Sequence, residues 1–127
     1  MYIEIDFNSD EAIYMQVRNQ IVLGIATNQY QEGESLPSVR QLADSIGINM
    51  HTVNKAYHVL RQEGFIRLDR RNGAVIYMQE DKSQAILEMQ KTLQVILAKA
   101  VCKNISRGEI HQLVDEVYDS LTGGKNA

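Results

Sequence analysis

Asn49, Met50, His51, Thr52, Asn54 and Lys55 fall within seven consecutive positions. They are what remains on the outer side of a helix-length segment once Val53, Ala56 and Leu60 turn inward. Their chemistry suits hydrogen bonding to base edges. The Asn54 carboxamide sets a donor beside an acceptor, the pattern that pairs with adenine, and Lys55 has the reach for guanine or phosphate. Thr52 can bond a phosphate or pack on a thymine methyl, and His51 donates or accepts according to its tautomer. Side chains at the start of such a helix are the ones that meet bases when it enters a major groove. Arg40, near the start of the preceding helix, can make a bidentate guanine contact. Ser38 and the free N–H groups after it form a phosphate seat. Further on, Arg70 and Arg71 beside an Asn72-Gly73 turn could enter a minor groove or rest on phosphate. Any one of these charges alone would be a solvated surface group. The ordered set carries the reading.

These residues need particular elements to hold them. Pro37 ends a polar loop, Ser38 follows as a helix N-cap, and Gln41 three residues on completes a capping box. A short helix over about 39–46 turns Leu42, Ala43 and Ile46 inward. Gly47 permits a tight turn, Ile48 plugs it, and Asn49 caps the next helix, about 50–63. That helix buries Val53, Ala56, part of Tyr57, and Leu60, and Gly64 stops it. Phe65, Ile66 and Leu68 begin a strand, residues 70–73 turn, and Val75, Ile76 and Met78 return. The layout is a winged helix-turn-helix. Ahead of it, YIEIDF alternates with Ile3, Ile5 and Phe7 on one side, the pattern of a short arm or edge strand. Asn8, Ser9 and Asp10 offer caps for a helix over 11–27 with Tyr14, Val17, Ile21 and Ile25 as its buried stripe. NQYQEGES (28–35) reads as a polar loop, with Asn28 as a left-handed cap and Gly33 as a turn.

After a polar seam at 79–84, capped by Asp81 or Ser83, two more amphipathic helices follow. The first, about 82–103, carries Ile86, Met89, Leu93, Ile96, Leu97, Ala100 and Val101. The second, about 107–121, starts at a Ser106/Glu109 capping box and carries Ile110, Leu113, Val114, Val117 and Leu121. GGKNA ends the chain as a frayed tail. Two such helices cannot bury both stripes alone. Pairing with a second copy is the simplest solution, and folding back onto the winged domain is the alternative. The expected architecture is therefore mostly α with a small β wing: a winged helix-turn-helix over 1–79 (core 10–78) and a two-helix dimerisation region over 80–127.

The 127 residues, 44% of them apolar, support one modest core with an appendage. No run approaches the length of a membrane span, and MYIEIDFNSDEA lacks a basic-then-apolar signal pattern. The single cysteine, Cys102, permits no internal disulfide, which fits a reducing cytoplasm. It reads as a small buried hydrophobe. The net charge of −3 is unevenly spread. Residues 36–78 hold six basic side chains against three acidic ones, so the positive charge sits where phosphate would. The chain carries no glycine-rich phosphate loop, no G-x-S-x-G and no H-E-x-x-H. Among His51, His58 and His111, the first two lie two turns apart on one helix, too far to hold one metal by themselves; a zinc site using two of the three with a carboxylate is the minor alternative, and neither enzyme, cofactor nor metal site is expected. The implied partners are a double-stranded DNA operator and a second copy of the chain. A small-molecule effector could lodge between the appended helices and the winged domain, near Tyr14, Tyr77, Tyr118 and Met89, although core packing also accounts for those four. A winged-helix module that binds protein rather than DNA is the competing reading, and the basic segment argues against it.

The segment AIYMQVRNQIVLGI leading into EGESLPSVRQLADSIGINMHTVNKAYHVLRQEGFI and then NGAVI resembles the GntR superfamily of bacterial transcription regulators, from about residue 10 to 78. The N-x-x-T-V-x-K-A-Y version of the recognition helix and the short C-terminal region resemble its YtrA-like branch. That likeness implies a DNA-binding repressor of a nearby transporter operon, dimerising through a two-helix appendage. It also implies DNA contacts at Arg40, from Asn49 to Lys55, and around Gly73. Four positions depart from the family pattern: Ala12 replaces a usual proline, Met50 and Asn54 stand where basic residues are common, and Arg71 replaces a common wing glycine.

Overall fold

The computed structural model describes residues 1–78 and 81–123. In chain order its elements are α1 (Ile13–Ala26), α2 (Val39–Ile46), α3 (Met50–Gln62), β1 (Ile66–Asp69), β2 (Gly73–Ile76), α4 (Lys82–Cys102) and α5 (Arg107–Thr122). Contacts divide the chain into two units, Met1–Gln79 and Glu80–Ala127. Gln79 and Glu80 of the expected seam, and all of GGKNA after Gly123, lie outside the described residues.

In the first unit the apolar stripes of three helices meet the wing. Val17 and Ile21 from α1, Leu42 from α2, Val53 and Leu60 from α3 and Ile76 from β2 are the largest side chains wholly removed from solvent. Burying each contributes about 1.5–3 kcal/mol. The caps read from sequence form. The Ser38 hydroxyl accepts the Gln41 N–H at 3.1 Å while Gln41 Oε1 accepts the Ser38 N–H at 3.0 Å. Asn49 Oδ1 takes the His51 N–H at 2.7 Å. Gly47, at φ 72°, makes the left-handed turn between α2 and α3 that a side chain would resist.

The N-terminal arm differs from expectation. It forms no strand; glutamine side chains of α1 replace a sheet partner. Gln20 bonds both the N–H and the carbonyl of Glu4, and Gln16 does the same for Asp6. Ile3 is buried, but the chain turns after Asp6, so Phe7 faces solvent instead of joining Ile3 and Ile5. That turn also displaces the start of α1 to Ile13, with Ala12 at the cap and no capping side chain; the Ser9 hydroxyl serves the Glu11 N–H instead.

The loop after α1 also does more than its polar composition suggests. Asn28 adopts the expected left-handed conformation at φ 63°, and Gly33 has φ 92°. Residues 33–36 then run along β2: Gly33 donates to Ile76, Ile76 to Glu34, and Leu36 to Ala74, at 2.8–2.9 Å. β2 is thereby bonded on both sides, antiparallel to β1 in the register Ile66↔Ile76 through Asp69↔Gly73. An open β2 edge would have left those backbone groups unsatisfied. The pairing also ties the wing to the segment that leads into α2.

In the second unit, Asp81 caps α4 by accepting the Gln84 N–H, and the Ser106/Glu109 capping box starts α5. Asn104, at φ 58°, turns the chain between the helices, and Ile105 donates to the Ala100 carbonyl at 3.0 Å. Ala100 is buried here. Cys102 is exposed, which corrects the expectation of a buried hydrophobe: it falls at the last turn of α4, beyond the part of the stripe that the turn covers. No helix among the described residues is long and apolar enough to cross a membrane.

Candidate nucleic-acid interface

α3 is held from behind and bare in front. Val53, Ala56, Tyr57 and Leu60 are buried on one side. Tyr57, expected to be partly covered, is almost wholly so, and its hydroxyl donates to the Pro37 carbonyl at 2.8 Å. Burial pushes its phenol pKa well up, so it remains a proton donor at any physiological pH. This bond fixes α3 against the residue that precedes α2. At the far end, one guanidinium nitrogen of Arg18 reaches both carboxylate oxygens of Glu63 at 2.6 and 2.8 Å, joining α1 to the C-terminal end of α3.

On the front, Asn49, Met50, His51 and Asn54 are exposed, as are Ser38 and Arg40 at the start of α2. Thr52 is only half-exposed, so it has less reach than its neighbours. Lys55 is exposed, but its ammonium lies 4.2 Å from the centre of the Tyr14 ring. A base contact by Lys55 therefore competes with an attraction of about 0.5–1 kcal/mol.

At the wing, Arg70, Arg71 and Asn72 form the connection, and all three are exposed. Gly73 belongs to β2 and pairs with Asp69, which corrects the expected Asn72-Gly73 turn. Its φ of 69° makes this a three-residue hairpin loop closed by a left-handed glycine. The Asp69 carboxylate organises the loop by accepting the Arg71 N–H at 2.8 Å and the Asn72 N–H at 3.2 Å. Those two bonds hold its pKa below the usual carboxylate value, and the nearby Arg67 charge adds to the shift. A depressed folded-state pKa gives order that is complete above the ordinary value and lost as pH falls through the folded one. The Arg71 and Asn72 amides should thus exchange faster with solvent as pH is taken below the ordinary carboxylate range, after correction for intrinsic rates. The same amides in Asp69→Asn should lack that step.

Between α3, the start of α2 and the wing lies an open cleft of about 590 Å³. Leu36, Pro37, Ile66, Leu68 and Ala74 give its lining an apolar part, and Ser38, Gln41, Asn54, His58, Arg61 and Asn72 a polar one. His58 and Arg61 were not among the expected site residues. Their spacing from Asn54, four and seven positions on, places them on the same helical face and could have revealed them.

In the second unit, Ile86, Met89, Leu93, Ile96, Leu97, Leu113, Val114 and Val117 are 39–61% exposed, while Ile110 and Leu121 are half-covered. Leu87 and Val95, off the expected stripe, and Tyr118 add to the exposed apolar surface. Of the tyrosines and methionine considered for an effector site, only Tyr14 packs against the core. Met89, Tyr77 and Tyr118 are exposed, Tyr14 is half-covered, and Tyr77 lies 5.0 Å beneath the Arg67 guanidinium.

The pattern of the gntR family of bacterial regulatory proteins matches residues 11–76. The chain is 31% identical over 128 residues to the HTH-type transcriptional repressor YtrA of Bacillus subtilis (strain 168), an alignment covering 97% of each chain. Among solved structures it is similar to a transcriptional antiterminator from Listeria monocytogenes EGD-e, with 30% identity and a TM-score of 0.86 over 100% of this chain and 97% of that one. It is also similar to YtrA from Sulfolobus acidocaldarius, a GntR-family transcription factor, with 37% identity and a TM-score of 0.66 over 79% of this chain and 97% of that one. The family match spans the winged helix and the likeness to a YtrA repressor continues through the last two helices, so the chain belongs to the GntR family of bacterial regulatory proteins and is a DNA-binding transcriptional regulator.

Proposed function

We propose that the chain is a homodimeric repressor that binds a two-fold operator, with α3 in the major groove and the basic wing on the flanking backbone or minor groove. The reading rests on one observation: Asn49, Met50, His51 and Asn54 stand exposed at the start of a helix whose opposite side is buried and whose first turn is capped. Arg40 supplies a bidentate guanine contact, and Ser38 with the first N–H groups of α2 receives a phosphate. α4 and α5 supply the dimer contact through the apolar residues they leave exposed. Two linked recognition helices then require half-sites centred roughly 34–36 Å apart, or a multiple of that. The resemblance to the YtrA-like branch implies control of neighbouring genes, with a transporter operon as the first candidate. A small-molecule effector would act by favouring one spacing of the two recognition helices over the other.

Selection from random duplex DNA with the purified full-length chain tests this reading. A palindromic site should be enriched. Arg40→Ala should then cost about 1–3 kcal/mol on that site and relax preference at one base of each half-site. Failure to enrich any sequence would favour a winged helix that binds protein instead. Unchanged affinity and discrimination in Arg40→Ala would remove that residue from the reading surface.

A further inference from the structure

We infer that the cleft between α3 and the wing seats one sugar–phosphate strand of the duplex, with His58 and Arg61 as its phosphate clamp; this rests on the DNA-binding reading above. The two side chains stand one helical turn apart on the exposed face of α3, in line with Asn54. Among the described residues neither makes a hydrogen bond or ion pair through its side chain, whereas Arg18, Lys55 and Arg67 are each engaged with a neighbour. Both donors are thus free for a ligand. Ser38 and Asn72, which also line the cleft, add a hydroxyl and a carboxamide.

The mixed lining identifies the ligand class. Pro37 and Leu68 bring apolar surface to a lining that also carries Arg61, His58 and the amides of Asn54 and Asn72, and Leu68 is 64% exposed although it lies on a strand beside the core. A free inorganic anion would gain nothing from the apolar part. A nucleic-acid strand matches both parts: its phosphates meet Arg61 and His58, and the carbon face of a deoxyribose covers Leu68 and Pro37. The cleft shares Ser38, Asn54 and Asn72 with the expected reading surface, so a strand lying in it continues past the bases that α3 reads. Contacts of this kind set register and orientation without discriminating sequence.

The test compares the wild-type chain with Arg61→Gln, His58→Gln and the double variant, all full length. The probes are the fluorescein-labelled duplex enriched by selection with wild type and a random-sequence duplex of the same length. Affinity is measured across a salt series. Each phosphate contact contributes about 0.9 to the slope of log K against log salt. Arg61→Gln should therefore lower the slope by about 0.9 per protomer on both probes, with base preference unchanged and the thermal midpoint within error of wild type. Leu68→Ser should weaken binding without altering the slope, since it removes a sugar contact and no charge. An unchanged slope in the double variant overturns the clamp while leaving the α3 reading intact, as does a changed base preference, which would make these residues base readers. If the wild-type chain itself binds neither probe, the DNA-binding reading fails and the clamp fails with it. Arg40→Ala, which should lose discrimination, separates the two roles.

Discussion

Chains carrying Leu93→Glu and Val114→Glu together should sediment as monomers of 14.4 kDa and bind the selected operator about 100-fold to 10,000-fold more weakly than wild type. Leu93 and Val114 are exposed in the single chain, at 42% and 51%, and both lie on helices whose caps do not involve them. A glutamate at either position therefore costs the isolated chain little, within about 0.5 kcal/mol. In a dimer they would be covered, and burying a carboxylate without a partner costs several kcal/mol. The asymmetry separates assembly from folding. The loss of affinity follows because the second half-site is bound at the high effective concentration that a tethered partner supplies, and a monomer forgoes it. The helicity and urea midpoint of the winged unit should match wild type, so a weakened complex could not be blamed on misfolding. Retention of a dimer by the double variant would dismiss α4 and α5 as the interface. A wild-type chain that is itself monomeric at high concentration would favour the appendage folding back on its own winged domain.

The parts of this fold that were legible in sequence are those governed by local chemistry. Ser38 with Gln41, Asn49, Gly47, Asp81 and the Ser106/Glu109 pair all serve as the caps or turns their types demanded, because a cap is decided within three or four residues. The stripe Val17, Ile21, Ile25 and the inward set Val53, Ala56, Leu60 followed from helical periodicity alone. What escaped depends on partners distant in the chain. The arm reads as a strand by alternation, but glutamine side chains sixteen and ten positions away take its backbone groups. Nothing in NQYQEGES signals pairing with β2, since that pairing is chosen by the open strand edge beside it. The cation–π contact of Lys55 with Tyr14 spans α1 and α3 and has no local signature. The reading surface was legible as a set of outward positions. His58 and Arg61 lie beyond the first turns of α3, where base contacts occur, and the cleft that gives them meaning exists only once the wing folds beside the helix.

Leu60→Ala should destabilise the winged unit by about 2–5 kcal/mol, measured as a lower urea midpoint at unchanged denaturant slope. Leu60 is fully buried among the side chains that join α3 to the rest of the core. Its neighbours are held by the Tyr57 bond on one side and the Arg18–Glu63 pair on the other, so the backbone has little freedom to collapse into the cavity. That rigidity puts the cost toward the upper part of the range, since a site that cannot relax keeps the full void. Small domains have about 5 kcal/mol or little more in total, so the variant should be substantially unfolded at 37 °C. The consequence for binding is thermodynamic rather than local. Leu60 touches no DNA, so at low temperature, where the folded form still dominates, operator affinity and base preference should equal wild type. On warming, apparent affinity should fall in step with the folded fraction. Excess operator should reverse this: duplex at 100 times its Kd stabilises the folded form by about 2.7 kcal/mol and should raise the melting temperature of Leu60→Ala as it does that of wild type. An exposed control on the same helix, Gln62→Ala, should leave the midpoint within about 0.5 kcal/mol of wild type. A Leu60→Ala chain with a wild-type midpoint would mean that α3 is not seated on this core, and a helix not so seated could not hold Asn49, His51 and Asn54 in fixed register for a groove.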